Sequence, residues 1–376
     1  MGTGLPFTAL AESLPASVPF VGPETQERAR GAPFRARLGA NESPFGPSPH
    51  AIAAMCAAAS EVWQYGDPEN HDLREALAAH HGVPSARIGI GEGIDGLLQV
   101  IVRLFAGPGA PVVTSKGAYP TLLYHVNGFG ARPVLVPYRD DREDPDALLA
   151  AVAETGAPLV YLSNPDNPMG TWHDAGTIAR FIEALPEPAV LMLDEAYGEF
   201  APPSALLPLD YKHPRLIRLR TFSKAYGMAG ARIGYAITAP EIATAFNKVR
   251  NHFGVNRIAQ AGALAALADG AHLVSVVAEV AAARDAIAEI GARHGLTAIE
   301  SATNFVALDT GRGGDFARAL VASLAAEGVF VRMPFVPPQD RCIRVSAAPA
   351  AMLAILDEAL PAAIAAAERA VASSAA

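Results

Sequence analysis

Lys224 lies in Arg220-Thr221-Phe222-Ser223-Lys224-Ala225-Tyr226-Gly227-Met228-Ala229-Gly230-Ala231-Arg232, directly after the β-rich run Leu216-Ile217-Arg218-Leu219. A lysine in a loop of small and apolar residues behind a buried strand is partly desolvated, which penalises its ammonium form. An amine held near neutrality is what imine formation with an aldehyde requires. Ser223 and Arg232 add a hydroxyl donor and a fixed cation, a pair suited to phosphate. An arbitrary loop lysine is more simply a solvated one, so the reading depends on what converges on it.

The other candidates mostly follow runs that read as strands. Gly91-Glu92-Gly93-Ile94-Asp95-Gly96 opens a helix, where glycines permit close approach and free amides attract a phosphate. A plain strand-to-helix turn explains that stretch as well. Asn164-Pro165-Asp166-Asn167-Pro168-Met169-Gly170 is first a turn, and in it Asn167 presents a rigid amide. Asp194, in Asp194-Glu195-Ala196-Tyr197, ends an apolar run and needs a cation or a proton there; a protonated ring nitrogen meets that need, as does an ordinary ion pair or helix cap. Tyr119 suits stacking on a flat heterocycle or a place in the core. Arg344, flanked by apolar residues in Cys342-Ile343-Arg344-Val345, suits a carboxylate or a cross-strand pair. Together these offer partners for an aldehyde, a pyridinium, a phenol-type oxygen and a phosphate, the groups of pyridoxal 5′-phosphate.

The elements that must position them alternate. Helical stretches are predicted over 72–81, 95–106, 119–129, 145–154 and 174–184. Between and after them lie short strands at 88–90, 111–114, 133–136, 159–162, 190–193, 216–219 and 233–236. Apolar strands alternating with helices indicate an α/β layer with a mostly parallel seven-stranded sheet, which binds ligands beyond the carboxyl ends of its strands. An irregular N-terminal arm is expected over 1–46, a large cofactor-binding domain over 47–275 and a small α+β domain over 276–376. Residues from roughly 241 to 294 read as a long helical passage. Helical sequence near 349–369 is expected to kink or break at Pro361 before a frayed tail.

Bulk properties set the surroundings. The chain has 376 residues, 51% hydrophobic and 18% charged, enough for two domains with a substantial core. A net charge of −9 without a basic cluster argues against nucleic acid and anionic membrane. No apolar run has the length of a membrane helix, and 1–20 lacks a secretory pattern. Cys56 and Cys342 suggest neither disulfides nor a metal site, which suits the cytoplasm. His50, His71, His80, His81, His125, His173 and His252 lack ligand spacing and read as surface or capping residues.

From Leu38 onward the chain resembles the fold-type I pyridoxal-phosphate aminotransferases of classes I and II, and within them the histidinol-phosphate aminotransferase-like branch. The resemblance rests on Gly39-Ala40-Asn41-Glu42-Ser43-Pro44-Phe45-Gly46-Pro47-Ser48-Pro49, Asn164 to Gly170, Asp194 to Tyr197, and Ser223-Lys224 with Arg232. It implies that Lys224 carries the cofactor in an imine and shuttles a proton, that Asp194 pairs with the ring nitrogen, and that Asn167 and Tyr197 meet the ring oxygen. It further implies that Tyr119 stacks on the ring, while the amides of Gly93, Ile94 and Asp95, the Ser223 hydroxyl and Arg232 hold the phosphate. Arg344 would bind the substrate carboxylate or an anionic group in its place, and Arg332 would lie near the substrate's far end. Tyr65 matches a tyrosine that reaches the phosphate from the other subunit, implying a homodimer. Met169, Ser43, Phe45 and Gly66 depart from the family pattern, which bears on the substrate more than on the reaction. The implied reaction is ping-pong amino transfer from histidinol phosphate or an aromatic amino acid to a 2-oxo acid such as 2-oxoglutarate. Decarboxylation of the threonine-phosphate type is the alternative, and a non-catalytic binding protein a more remote one.

Overall fold

A computed structural model describes residues 5–16 and 20–375. The arm holds two helices, Ala9–Ser13 and Pro23–Arg30, where irregular chain was expected. The second has signals that the expectation passed over: proline in its first turn, and Gly31 closing it at φ 71°. Residues 1–4 and 17–19 of the arm, and Ala376 of the expected tail, lie outside the described residues. Strand β1, Ala36–Arg37, pairs with Val329–Phe330 farther along the chain.

The central sheet contains β2 (Ile88–Gly91), β3 (Pro111–Ser115), β4 (Arg132–Val136), β5 (Leu159–Ser163), β6 (Val190–Asp194), β7 (Leu216–Thr221) and β8 (Gly234–Thr238). Their spatial order is β2-β8-β7-β6-β5-β3-β4. Only β8 is reversed, running antiparallel to both β2 and β7. Strands β5, β6 and β7 are buried along their whole length, because helices cover both faces. Asp144 and Asp174 start two of the flanking helices by accepting from the amides of Ala147 and Thr177.

The expected helical passage 241–294 is helical over most of its length. It divides into Pro240–Ala245, Arg257–Ala268 and Gly270–Arg293, with the last two bent by 82° about Asp269. Asp269 caps the third piece by accepting from the His272 amide. The boundary expected at 275/276 falls inside that piece. Strands β9 (Thr297–Ala298), β10 (Phe305–Asp309) and β12 (Cys342–Ser346) form an antiparallel sheet in the order β12-β10-β9; β11 is Val329–Phe330, the partner of β1.

The last helix, Ala350–Ala375, continues through Pro361 rather than breaking. Leu353, Leu356, Leu360, Ala363 and Ala367 form a buried stripe at helical spacing, whose packing outweighs the single backbone bond that proline removes. By length and composition 350–373 is apolar enough for a membrane span, although Asp357, Glu358, Glu368 and Arg369 interrupt its apolar run. Its stripe instead covers the helix Gly314–Ala326, and Glu358 and Glu368 pair with Arg35 and Arg312. Two histidines also depart from the surface reading. His81 meets the Tyr235 hydroxyl at 2.7 Å and His173 the Glu143 carbonyl at 2.8 Å, because their rings fill polar gaps between elements.

The largest fully buried side chain is Arg218. It donates to both oxygens of Glu195 at 3.0 and 2.8 Å, and Arg220 adds a bond to Glu195 at 3.2 Å. Glu195→Ala leaves Arg218 without its anion and is expected to cost roughly 3–5 kcal/mol in urea unfolding. A loss under about 1 kcal/mol, the scale of an exposed pair, would contradict this account of the sheet's centre.

Candidate active site

Strand ends and the loops after them converge on a cavity of about 250 Å³. Asp194 and Ser163 sit opposite each other at the ends of β6 and β5. From β7 the chain enters the loop carrying Ser223 and Lys224, and Asn167 comes from the loop after β5. Ile94 and Asp95 come from the start of the helix Gly93–Phe105. Tyr119 precedes the helix Pro120–Gly128, and Arg344 arrives from β12. All of these line the cavity, together with Tyr197 and Arg232. Gly93 stands beside it at φ 75°, where a Cβ would come within 2.8 Å of the Arg232 guanidinium. Only glycine lets that helix start lie so close to the arginine.

Charge in the cavity is arranged unevenly. Asp194 is buried and accepts from the Tyr161 hydroxyl at 2.7 Å and the Ala196 amide at 2.9 Å. Both donors are neutral. Burial therefore dominates and pushes its carboxyl up to about 6, despite those two bonds. Lys224 donates to the main-chain carbonyl of Asn41 at 2.9 Å, and its Nζ stands 5.6 Å from the Tyr197 ring centre. Burial, then the Arg344 guanidinium, bring its amine down to about 8. Arg344 is itself buried; it donates to Asn167 Oδ1 at 2.5 Å and has a buried Nε without a partner. Arg232 donates to Ser223 Oγ at 3.4 Å and to Asp95 Oδ2 at 3.2 Å, at the mouth of the helix start.

These groups fit pyridoxal phosphate. A strand-end carboxylate supplied only with neutral donors has room for a cationic ring nitrogen. A depressed amine stands across the cavity, and a half-exposed guanidinium with free helix amides forms an anion seat. Tyr119 lies in the cavity wall with its hydroxyl donating to Asp95 at 2.8 Å.

Two expected residues lie elsewhere. Tyr65 is 76% exposed, its ring tilted by 32° against that of Phe253 with ring centres 4.6 Å apart, and does not line this chain's cavity. Arg332 borders an adjoining outer recess, where it donates to the Val21 carbonyl at 2.7 Å and lies 3.9 Å over the Phe20 ring. Burial, then Arg344, lower its guanidinium to about 10.

Sequence reasoning gave no role to Phe20, Asn41 and Tyr161, all of which line the cavity. Tyr161 had a usable signal: a hydroxyl inside an otherwise apolar buried strand must find a partner. Phe20 had none, since only the folded arm brings it there.

The family model described as "Aminotransferase class I and II" matches residues 36–360. Histidinol-phosphate aminotransferase 2 of Ralstonia nicotianae is 37% identical over 299 residues, 79% of this chain and 80% of that protein. An aromatic amino acid aminotransferase of Thermobifida fusca is 37% identical over 324 residues, 83% of this chain and 89% of that protein. The crystal structure of histidinol-phosphate aminotransferase from Sinorhizobium meliloti in complex with pyridoxal-5′-phosphate superposes with a TM-score of 0.93. It is 55% identical and covers 96% of this chain and 98% of that one.

The lowered amine is directly measurable. In protein freed of cofactor, acylation of Lys224 followed by peptide mass spectrometry should rise through pH about 8. Exposed lysines react only as pH approaches about 10.4. A Lys224 midpoint matching theirs would contradict the desolvated setting.

Proposed function

The chain belongs to the class I and II aminotransferases and is a pyridoxal 5′-phosphate-dependent transaminase; from that premise we propose the following division of labour and choice of substrate. The carrying observation is that Asp194, from the end of β6, meets Lys224 and Arg232, from the connection between β7 and β8, in one cavity. When bound, the cofactor supplies an electron-withdrawing ring that accepts the electrons of the substrate's Cα–H bond. Asp194 keeps the ring nitrogen protonated; its raised affinity for a proton suits a shared one. Lys224 would carry the cofactor at rest and, once freed, would take the substrate's α-proton and pass it to the cofactor's aldehyde carbon, which an amine poised near pH 8 does well. Asn167 and Tyr197 hold the ring oxygen, and Tyr119 stacks on the ring. The amides of Gly93, Ile94 and Asp95, the Ser223 hydroxyl and Arg232 hold the phosphate.

Arg344 orients the substrate by its carboxylate or, in histidinol phosphate, which has none, by the phosphate in its place, fixing which bond at Cα stands perpendicular to the ring. Its unpartnered Nε supports that role. Arg332 stands where a second anionic group would arrive. The donor is histidinol phosphate or an aromatic amino acid, and the acceptor a 2-oxo acid such as 2-oxoglutarate. Relatives named for both donor classes, and a recess walled by Phe20, Met333 and Phe335 beside Arg332, support this choice. The working unit is a cytoplasmic homodimer. In it the exposed Tyr65 reaches the partner's phosphate seat, which gives its position outside this chain's cavity a purpose. The arm spans 1–46, the cofactor-binding domain 47–275 and the smaller domain 276–376.

Borohydride treatment of the loaded enzyme should fix the cofactor's mass on the Lys224 peptide. Lys224→Ala should lower the half-reaction rate by at least about 10²–10⁴-fold. Half-reactions with histidinol phosphate, phenylalanine, tyrosine, histidine and glutamate, followed by loss of the visible band, identify the donor. Cofactor mass on another lysine, or normal turnover by Lys224→Ala, would remove the assignment.

A further inference from the structure

Asn41 sits between the two groups that the reaction needs most tightly held. It is buried, in left-handed backbone at φ 54°, a conformation that asparagine adopts more readily than most residues. Its amide N–H donates to Ser346 Oγ at 3.0 Å, and that hydroxyl lies 3.4 Å from its side-chain Oδ1. Its main-chain carbonyl accepts from Lys224 Nζ at 2.9 Å and from the fully buried Asn304 at 3.1 Å. Its side-chain Nδ2 lies 3.1 Å from the Tyr197 hydroxyl.

The direction of that last bond follows from chemistry. The Nδ2 group can only donate, so the Tyr197 oxygen accepts and its own proton must point elsewhere. Ser346 holds Oδ1 on the opposite side, which fixes the orientation of the amide. Tyr197 lines the cavity, meets the Phe305 ring edge-on at 5.4 Å between ring centres, and has the Lys224 amine 5.6 Å from its own ring centre. The cavity is where a hydrogen-bond acceptor for the phenol proton would sit.

We propose that Asn41 is a positioning residue. Its side chain turns the Tyr197 proton into the cavity, and its main-chain carbonyl holds the Lys224 amine whenever that amine is free. This rests on the reading that Lys224 and Tyr197 hold the cofactor. A phenol proton given to the ring oxygen disperses the negative charge that retains a proton on the nitrogen supplied by Lys224. Turning the proton away therefore raises the pH at which that nitrogen titrates. The charged groups acting on Lys224 (Arg344, Asp95, Arg232, Glu42 and Asp194) are the same in every variant below.

The test is the pH midpoint of the bound cofactor's visible absorbance. Asn41→Asp is nearly isosteric and tolerates positive φ, but its carboxylate accepts the Tyr197 proton and turns it away. Its midpoint should rise by about one unit, the size of a lost charge-stabilising contact. Asn41→Gly keeps the backbone and carbonyl, loses only the amide, and should rise by less. In a Tyr197→Phe background the Asn41→Asp shift should fall to less than half, leaving only the through-space effect of the added charge. A midpoint unmoved in Asn41→Asp, or an equal shift with and without the phenol, overturns the proposal. Wild-type protein without a cofactor band on Lys224 would instead overturn the reading on which the proposal rests.

Discussion

Two neighbouring carboxylates at the end of β6 meet the cost of burial in opposite ways, and the site depends on the difference. Glu195 is neutralised by Arg218 and Arg220, which keep it an anion against the cost of burial within a closed ion-pair network. Asp194 receives only a phenol and an amide, so its charge stays incompletely matched by the protein. Removing a charge from water is costly unless a partner is supplied. The chain supplies one to Glu195 and leaves Asp194 for a ligand. Across the cavity Lys224 is treated in complementary fashion. No carboxylate contacts it, and burial with the Arg344 guanidinium favours its neutral form.

The fold makes this asymmetry possible. Parallel strands end together on one edge, so loops widely separated in sequence reach one cavity. The register that sets Ser163 opposite Asp194 brings the Asn167 loop beside the carboxylate. The antiparallel pairing of β10 and β12 then presents Arg344 from a second sheet, and its bond to Asn167 joins the two layers at the cavity. Segment 38–41 lies along the same seam: Leu38 accepts from the Ser346 amide, and Asn41 reaches both Lys224 and Tyr197.

Much of this was legible in the sequence because short apolar strands followed by chemistry-bearing loops have a recognisable grammar. All seven central strands fall where their apolar runs place them, within one or two residues. Less legible were features decided by tertiary contact. The residues around Pro361 stay helical because flanking leucines and alanines pack on the core, an effect that local propensity does not contain. The placing of Phe20 against Arg332 arises from long-range folding, whereas the arm's second helix carries local signals in Pro23 and Gly31. Asn41 was visible as a letter in a motif, but its role depends on a positive φ and on Asn304 and Ser346, more than 260 positions away.

The nitrogen-15 resonance of ring-labelled pyridoxal phosphate bound to the protein tests the central claim most directly. If Asp194 exists to meet a cationic ring nitrogen, that nitrogen stays protonated in wild-type protein at pH values where the free cofactor has lost its proton, and loses it in Asp194→Asn. A ring nitrogen that is unprotonated in wild-type protein, or that titrates identically in both proteins, would contradict the account.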